Sequence, residues 1–141
     1  MSAVNRFYDR IRDRRSRAAV DDAPVDQPLP DSEYALVVTY KRNGEGVPTP
    51  LWVARDGERL VFRTEADTAK VRRIHSNPRV RVAPCTGRGK PTGPPVEARA
   101  RVVGPDDAAA EHALRAKYGM QRRVYERVTP LGDLVYVEIT K

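Results

Sequence analysis

Apolar and polar positions repeat with two periods along this chain, and the switches between them mark its elements. YALVVTY, residues 34–40, is rich in β-branched and aromatic residues and predicts a strand. KRNGEG follows with an Asn-Gly pair, a hairpin signal leading into VPTPLWVAR as a second strand. Pro48 and Pro50 cannot donate to a ladder, so that strand belongs at an edge, at a bulge or beside a ligand. DGE turns the chain into RLVFRT, the third strand. RVRVAPC alternates strictly, with Val80 and Val82 on one face and Arg79 and Arg81 on the other. VEARARVVG and LVYVEIT supply a fifth and a sixth strand.

Helical spacing governs the stretches between. Thr64 and Asp67 have a capping-box-like spacing, and either would cap a helix from about Asp67 to Ser76. Val71 and Ile74 form its buried stripe, and Pro78 stops it. PDDAAAEHALRAKYG opens on proline and acids and closes on glycine, and MQRRVYERV continues as a second helical piece. Near the N-terminus, Val4, Phe7, Tyr8 and Ile11 are spaced for an amphipathic helix from about Asn5 to Ala19, with arginines on its other face. DDAPVDQPLP then reads as a linker. The expected organisation is an arginine-rich segment and linker over 1–31 and a folded domain over 32–141. Six short, mostly meandering strands with added helices predict a mainly β domain closed into a small barrel.

With 141 residues the chain is long enough for one core. No run of about 18 apolar residues occurs, and the N-terminus has no apolar signal core. One cysteine, Cys85, excludes an internal disulfide framework and fits a reducing cytoplasm, the expected location. The formal net charge of +7 favours an anionic partner: a nucleic acid, a phosphorylated cofactor or an acidic surface. Aromatics are only 6%, with no stacking platform, which places a nucleic-acid module last. The two histidines lie far apart and no second cysteine exists, so no metal site is expected. No phosphate-loop, dinucleotide or nucleophile-elbow pattern occurs. Cys85 reads as a small apolar filler and His75 as a surface residue; Trp52 reads as core or interface. Any chemistry should therefore belong to a bound cofactor.

One stretch stands out. FRTEADTAKVRRIHSNP, residues 62–78, brings hydroxyls and cations together where a strand becomes a helix. The free N–H groups and positive dipole of a helix start make an anion seat, to which Arg63, Thr64, Thr68 and Lys70 would contribute. Glu65 and Asp67 oppose that reading unless they point away, and a solvated helix face remains the alternative.

The ordered series TPLW, RT with a lysine six residues after the threonine, NPRV, APC, RGKPTGP, KYG and VEIT resembles the pyridoxamine 5′-phosphate oxidase-like split β-barrel superfamily. It is most similar to the deazaflavin-dependent branch, which uses coenzyme F420. The resemblance covers about Tyr34 to Thr140, and the arginine-rich segment lies outside it. It implies a homodimer of six-stranded split barrels, with the cofactor in a groove at the subunit boundary. It places the cofactor phosphate at Arg63, Thr64, Thr68 and Lys70, the ring face at Thr49 and Pro50, and Trp52 as their neighbour. The implied activity is hydride transfer between reduced F420 and a small unsaturated organic substrate. An FMN-dependent oxidase or reductase, or a binding protein without turnover, are the alternatives on the same barrel. F420 carries more negative charge than FMN, which suits a basic chain. No catalytic acid or base is apparent; a proton would come from water or a tyrosine near the mouth.

Overall fold

The computed structural model describes residues 12–128 and 132–141, and the side chains of all of these outside 120–128. Seven strands form one antiparallel sheet: β1 (Tyr34–Tyr40), β2 (Gly46–Trp52), β3 (Ala54–Asp56), β4 (Arg59–Glu65), β5 (Arg79–Cys85), β6 (Val96–Gly104) and β7 (Leu134–Thr140). Their order is β2-β1-β5-β6-β7-β4-β3. A 3-10 turn, Arg14–Arg17, runs into the one-turn helix α1 (Ala18–Asp21). Helix α2 (Ala69–Ser76) joins β4 to β5, and α3 (Ala108–Val128) joins β6 to β7. The mainly β class with added helices is as expected; the count of six strands is not.

The expected second strand is in fact two strands. β2 pairs with β1 as far as Trp52, whereas β3 pairs with β4 from Ala54 onward. Val53, between them, is fully buried. Its carbonyl accepts from Lys117 Nζ at 2.9 Å and from the Tyr118 hydroxyl at 2.7 Å, both on α3, where a strand would accept from its neighbour. β2 and β3 are therefore the two edges of the sheet and are joined by a single residue. Laid flat, six spacings of about 4.8 Å would hold these edges roughly 29 Å apart. One intervening residue spans at most about 7 Å. The sheet has to curl until its edges meet, and the seam at Val53 is where it does so.

Period-two alternation then divides the side chains. Ala35, Val37, Leu60, Phe62, Val80, Val82, Val137 and Ile139 fill the concave interior, and Ile74 of α2 packs onto the same core. On the convex face, Leu36, Val38, Tyr40, Ala83 and Cys85 meet Ala19 of α1. A second convex cluster joins Ala54, Val61 and Tyr136 to Ala110, Leu114 and Tyr118 of α3. The Asn-Gly pair does mark a hairpin, although the turn closes over Lys41–Glu45, with Gly44 alone in the left-handed region at φ 88°.

Helix ends also depart from expectation. α2 starts at Ala69 because extended Thr68 is its cap, the hydroxyl accepting from Val71 N–H at 3.4 Å. Asp67 instead faces solvent and pairs with Arg72 at 2.9 Å. Val71 and Ile74 are both buried, as the stripe predicted. The two expected helical pieces after residue 105 are one helix of 21 residues, with Gly119 in its interior. A helix tolerates one glycine at about 1 kcal/mol, and Gly119 lacks the positive φ of a terminating cap. Arg59 ties the start of this helix to the sheet, bonding Asp56, Asp107 and Glu138.

Most of the expected N-terminal helix, including Val4, Phe7, Tyr8 and Ile11, lies outside the described residues. From Arg12 onward the segment lies on the barrel wall. Ser16, Ala19 and Leu29 are buried, and Leu29 belongs to the concave core. Arg81 donates to the carbonyls of Val20 and Asp22, and Val25 N–H to that of Pro95. The boundary at residue 31 is thus one of composition, with residues on both sides sharing a core.

Candidate functional site

The junction of β4 and α2 carries three buried polar side chains, Thr64, Thr68 and Lys70. Thr64 shares the parity of Leu60 and Phe62 and so faces the concave side. Ala66 N–H, donating to the Asp133 carbonyl at 2.7 Å, holds the loop that follows against the approach to β7. Thr68 and Lys70 stand at the first turn of α2, where helix N–H groups lack intrahelical acceptors and the dipole is positive. Thr64, Thr68 and Lys70 are 8%, 3% and 8% exposed. Lysine is rarely buried to this degree in a fold unless an interaction compensates its desolvation. Arg72, two residues on, has a side chain 65% exposed and paired with Asp67.

The remaining expected residues are not all brought to this place. Arg63 has the opposite parity to Thr64 and lies on the convex face, opposite Tyr136 in register. Its guanidinium is 3.9 Å from Glu111 of α3, the same carboxylate that accepts from the Tyr136 hydroxyl. β2 divides similarly. Thr49 is in register with Val37 of the concave core, whereas Pro50 is in register with Leu36 of the convex cluster. Trp52 is also convex, stacked on Tyr118 with centroids 5.3 Å apart and 14° between planes. Thr49, Thr64, Thr68 and Lys70 thus belong to the concave side and the α2 end, and Pro50, Trp52 and Arg63 to the other face. Pro48 and Pro50 sit on an edge strand, where a missing N–H costs no ladder bond.

Cys85 is buried among Leu36, Val38 and Ala83, and burial pushes its thiol up to about 12. A thiol so raised is not a nucleophile near neutral pH. His75 is exposed on α2. Among the described residues, no three His, Cys, Asp or Glu are grouped to hold a metal ion, and no helix is long and apolar enough to cross a membrane.

Two features escaped the sequence reading. Arg73 donates to the Thr39 hydroxyl at 2.6 Å and lines an open cleft of about 420 Å³ beside the β1–β2 hairpin. Its place one turn after Lys70 was the available signal. Tyr118, whose hydroxyl donates to the Val53 and Glu33 carbonyls, gave no signal, because its partners are backbone atoms far away in sequence.

A curled antiparallel sheet with its edges joined at one residue, α1 and α3 on its convex side and α2 against its core, defines a split-barrel protein. The family model described as pyridoxamine 5′-phosphate oxidase matches residues 22–141, and the chain belongs to that family. Three solved structures share the fold. An F420 reductase is 23% identical, with a TM-score of 0.53, covering 84% of this chain and 94% of its own. The heme storage protein HutZ of Vibrio cholerae is 11% identical, with a TM-score of 0.59 over 78% of this chain and 82% of its own. A conserved hypothetical protein of Mycobacterium tuberculosis is 16% identical, with a TM-score of 0.54, covering 99% of this chain and 80% of its own. At these identities the likeness is one of fold. No curated protein matches the sequence.

Proposed function

We propose that this chain is an F420-dependent oxidoreductase, passing a hydride between the reduced deazaflavin and a small unsaturated organic substrate. One observation carries the reading: Thr64 at the end of β4 and Thr68 and Lys70 at the positive end of α2 are each buried. That donor set fits a phosphodiester, since hydroxyls and N–H groups supply directed bonds and the lysine supplies charge. Fold kinship with an F420 reductase agrees with it.

In this reading Lys70 holds the phosphate as the main cation, with Thr64 and Thr68 as hydroxyl donors. Thr49, on the concave side of the edge strand, lines the ring together with the backbone around Pro50. Trp52 supports that strand from behind through its stack on Tyr118. Arg63, on the far face, acts on the cofactor only through charge at a distance. When bound, the deazaflavin supplies the hydride chemistry; the protein orients substrate over the ring and excludes water. The working unit is a homodimer with the groove at the subunit boundary, a state that sedimentation velocity at micromolar concentration reads directly.

Separate fluorescence titrations with F420 and FMN test the reading. F420 is expected to bind more tightly. Tighter FMN binding would move the protein to flavin chemistry, and binding of neither would remove the cofactor reading altogether.

A further inference from the structure

Two helices cover parts of the convex face, α1 on the β1 side and α3 on the β4 side. The strip between them lies on β5, β6 and β7, and its outward side chains are charged or polar. Cross-strand pairing decides what each charge meets. Arg81 is in register with Glu97, and Arg101 with Glu138. Both ion pairs are made, at 2.7 Å and 2.5 Å. Arg99 lies between them on β6, and its own register partners are Arg79 on β5 and Thr140 on β7. Like charges directly opposite each other in a ladder repel. Arg79 pairs with Glu97 at 2.9 Å and rests over the Tyr40 ring. The exposed side chain of Arg99 makes no ion pair or hydrogen bond among the described residues.

We infer that this strip is a docking surface for an acidic segment of a partner protein, one carboxylate of which sits on Arg99 between Arg79 and Thr140. A carboxylate there continues the alternation of charge that Glu97 and Glu138 begin, and it relieves the repulsion between Arg79 and Arg99. Arginine forks take carboxylates through paired bonds. Arg101, two residues further along β6, has a side chain 74% exposed. Only its Nε and Nη2 meet Glu138, so its fork has a donor left for a second carboxylate. Residues two apart in a strand stand about 6.8 Å apart on one face. An extended segment with acids at alternate positions therefore matches Arg99 and Arg101 together. Glu97, two residues the other way, opposes a third acid in the series. Glu97 and Glu138 also disfavour a nucleic-acid backbone, which brings a charge with every nucleotide.

An NMR titration of the isotope-labelled full chain with a synthetic peptide, at about 150 mM salt, tests the surface. The peptide is about eight residues long, within the usual length of a strand, with Glu-Ser-Glu at its centre and serine and glycine around it. Amide shifts are expected at Arg79, Arg99, Arg101 and Thr140 and their strand neighbours. Replacing Glu-Ser-Glu by Gln-Ser-Gln is expected to weaken binding about 10-fold or more, and so is Arg99→Glu in the protein. Arg99→Glu sets opposite charges across from each other, so its stability in urea should be no lower than the parent's, and lost binding is then not lost fold. Arg72→Glu, the same charge change on α2, is expected to alter affinity less than about 2-fold. Four outcomes would overturn the surface. One is no shift at millimolar peptide, and another is equal binding of the glutamine peptide. The third is equal weakening by Arg72→Glu, the mark of a general field. The fourth is tighter binding of an oligothymidylate of the same length, which would assign the strip to nucleic acid.

Discussion

Helices α2 and α3 both carry polar side chains against the sheet, but in different settings. On α3, Lys117 and Tyr118 are donors meeting acceptors, namely the carbonyls of Ser32, Glu33 and Val53 along the seam of the barrel. On α2, Thr68 and Lys70 stand at the first turn, the positive end of the helix, and Thr64 lies at the end of the strand that leads into it. A cluster of acceptors met by donors is complete within the fold. A helix start, by contrast, presents its positive end, which favours an anion. Burial alone does not distinguish the two; the polarity of the surrounding backbone does.

The sharpest way to break this contrast is to remove Tyr118. Tyr118→Ala should lose about 3–5 kcal/mol of stability through the cavity and the lost stack on Trp52. Tyr118→Phe keeps the ring, leaves the seam carbonyls short of a donor, and should lose about 1–3 kcal/mol. Urea unfolding measures both; a Phe variant as stable as the parent would refute the seam's dependence on that hydroxyl. Lys70→Ala should do the reverse, leaving stability nearly intact and weakening F420 binding about 10- to 100-fold, the loss of about 1.5–3 kcal/mol for a charged hydrogen bond. Arg72→Ala, its exposed neighbour, should change affinity far less. Equal effects of the two substitutions would reduce the seat to a solvated helix face.

A smaller effect is expected at the start of α3. The Arg59 guanidinium and then the Ala110 N–H hold the Asp107 carboxyl down at about 2. Its folded pKa lies below the unfolded value near 3.9, so its stabilisation is present above about pH 4 and is lost as pH falls toward 2. Thermal unfolding from pH 5 to 2 should therefore fall more gently in Asp107→Asn than in the parent. An identical acid limb in both would show that the Arg59 bonds do not differ in worth between the two states. The smallest effect belongs to Cys85. Cys85→Ser should keep cofactor binding and any hydride transfer within a few-fold, and abolished turnover in a folded, cofactor-binding variant would reveal a thiol role.

Legibility in the sequence followed the range of the interactions. Strands with a clean alternation, such as Arg79–Cys85, were readable because one face buries Val80 and Val82 and the other carries Arg79 and Arg81. The stripe of α2 and its stop before Pro78 were readable for the same local reason. The break at Val53 was not, since its cause is a pair of donors more than sixty residues away. Within the candidate site, the sequence marked the stretch from Arg63 to Lys70 but not its sidedness. Adjacent strand residues face opposite ways, so Arg63 and Thr64 part company although they are neighbours in sequence. Thr49 and Pro50 separate by the same rule. The packing of residues 12–29 was masked by composition, because proline and aspartate write a linker whether or not an alanine and a leucine between them are buried.

The position of β7 carries a consequence for how the molecule is made. It is the last strand in chain order, yet it lies between β6 and β4 in the sheet. Until it arrives, the strands can form only two separate pieces, β2-β1-β5-β6 and β4-β3, linked by the seam residue and by the α2 connection from β4 to β5. The pairing of Arg63 with Tyr136 spans more than half the chain, and contacts so distant in sequence make for slow closure. A nascent chain therefore carries two unzipped strand edges until synthesis passes Thr140, exposed to pairing with other chains throughout that interval.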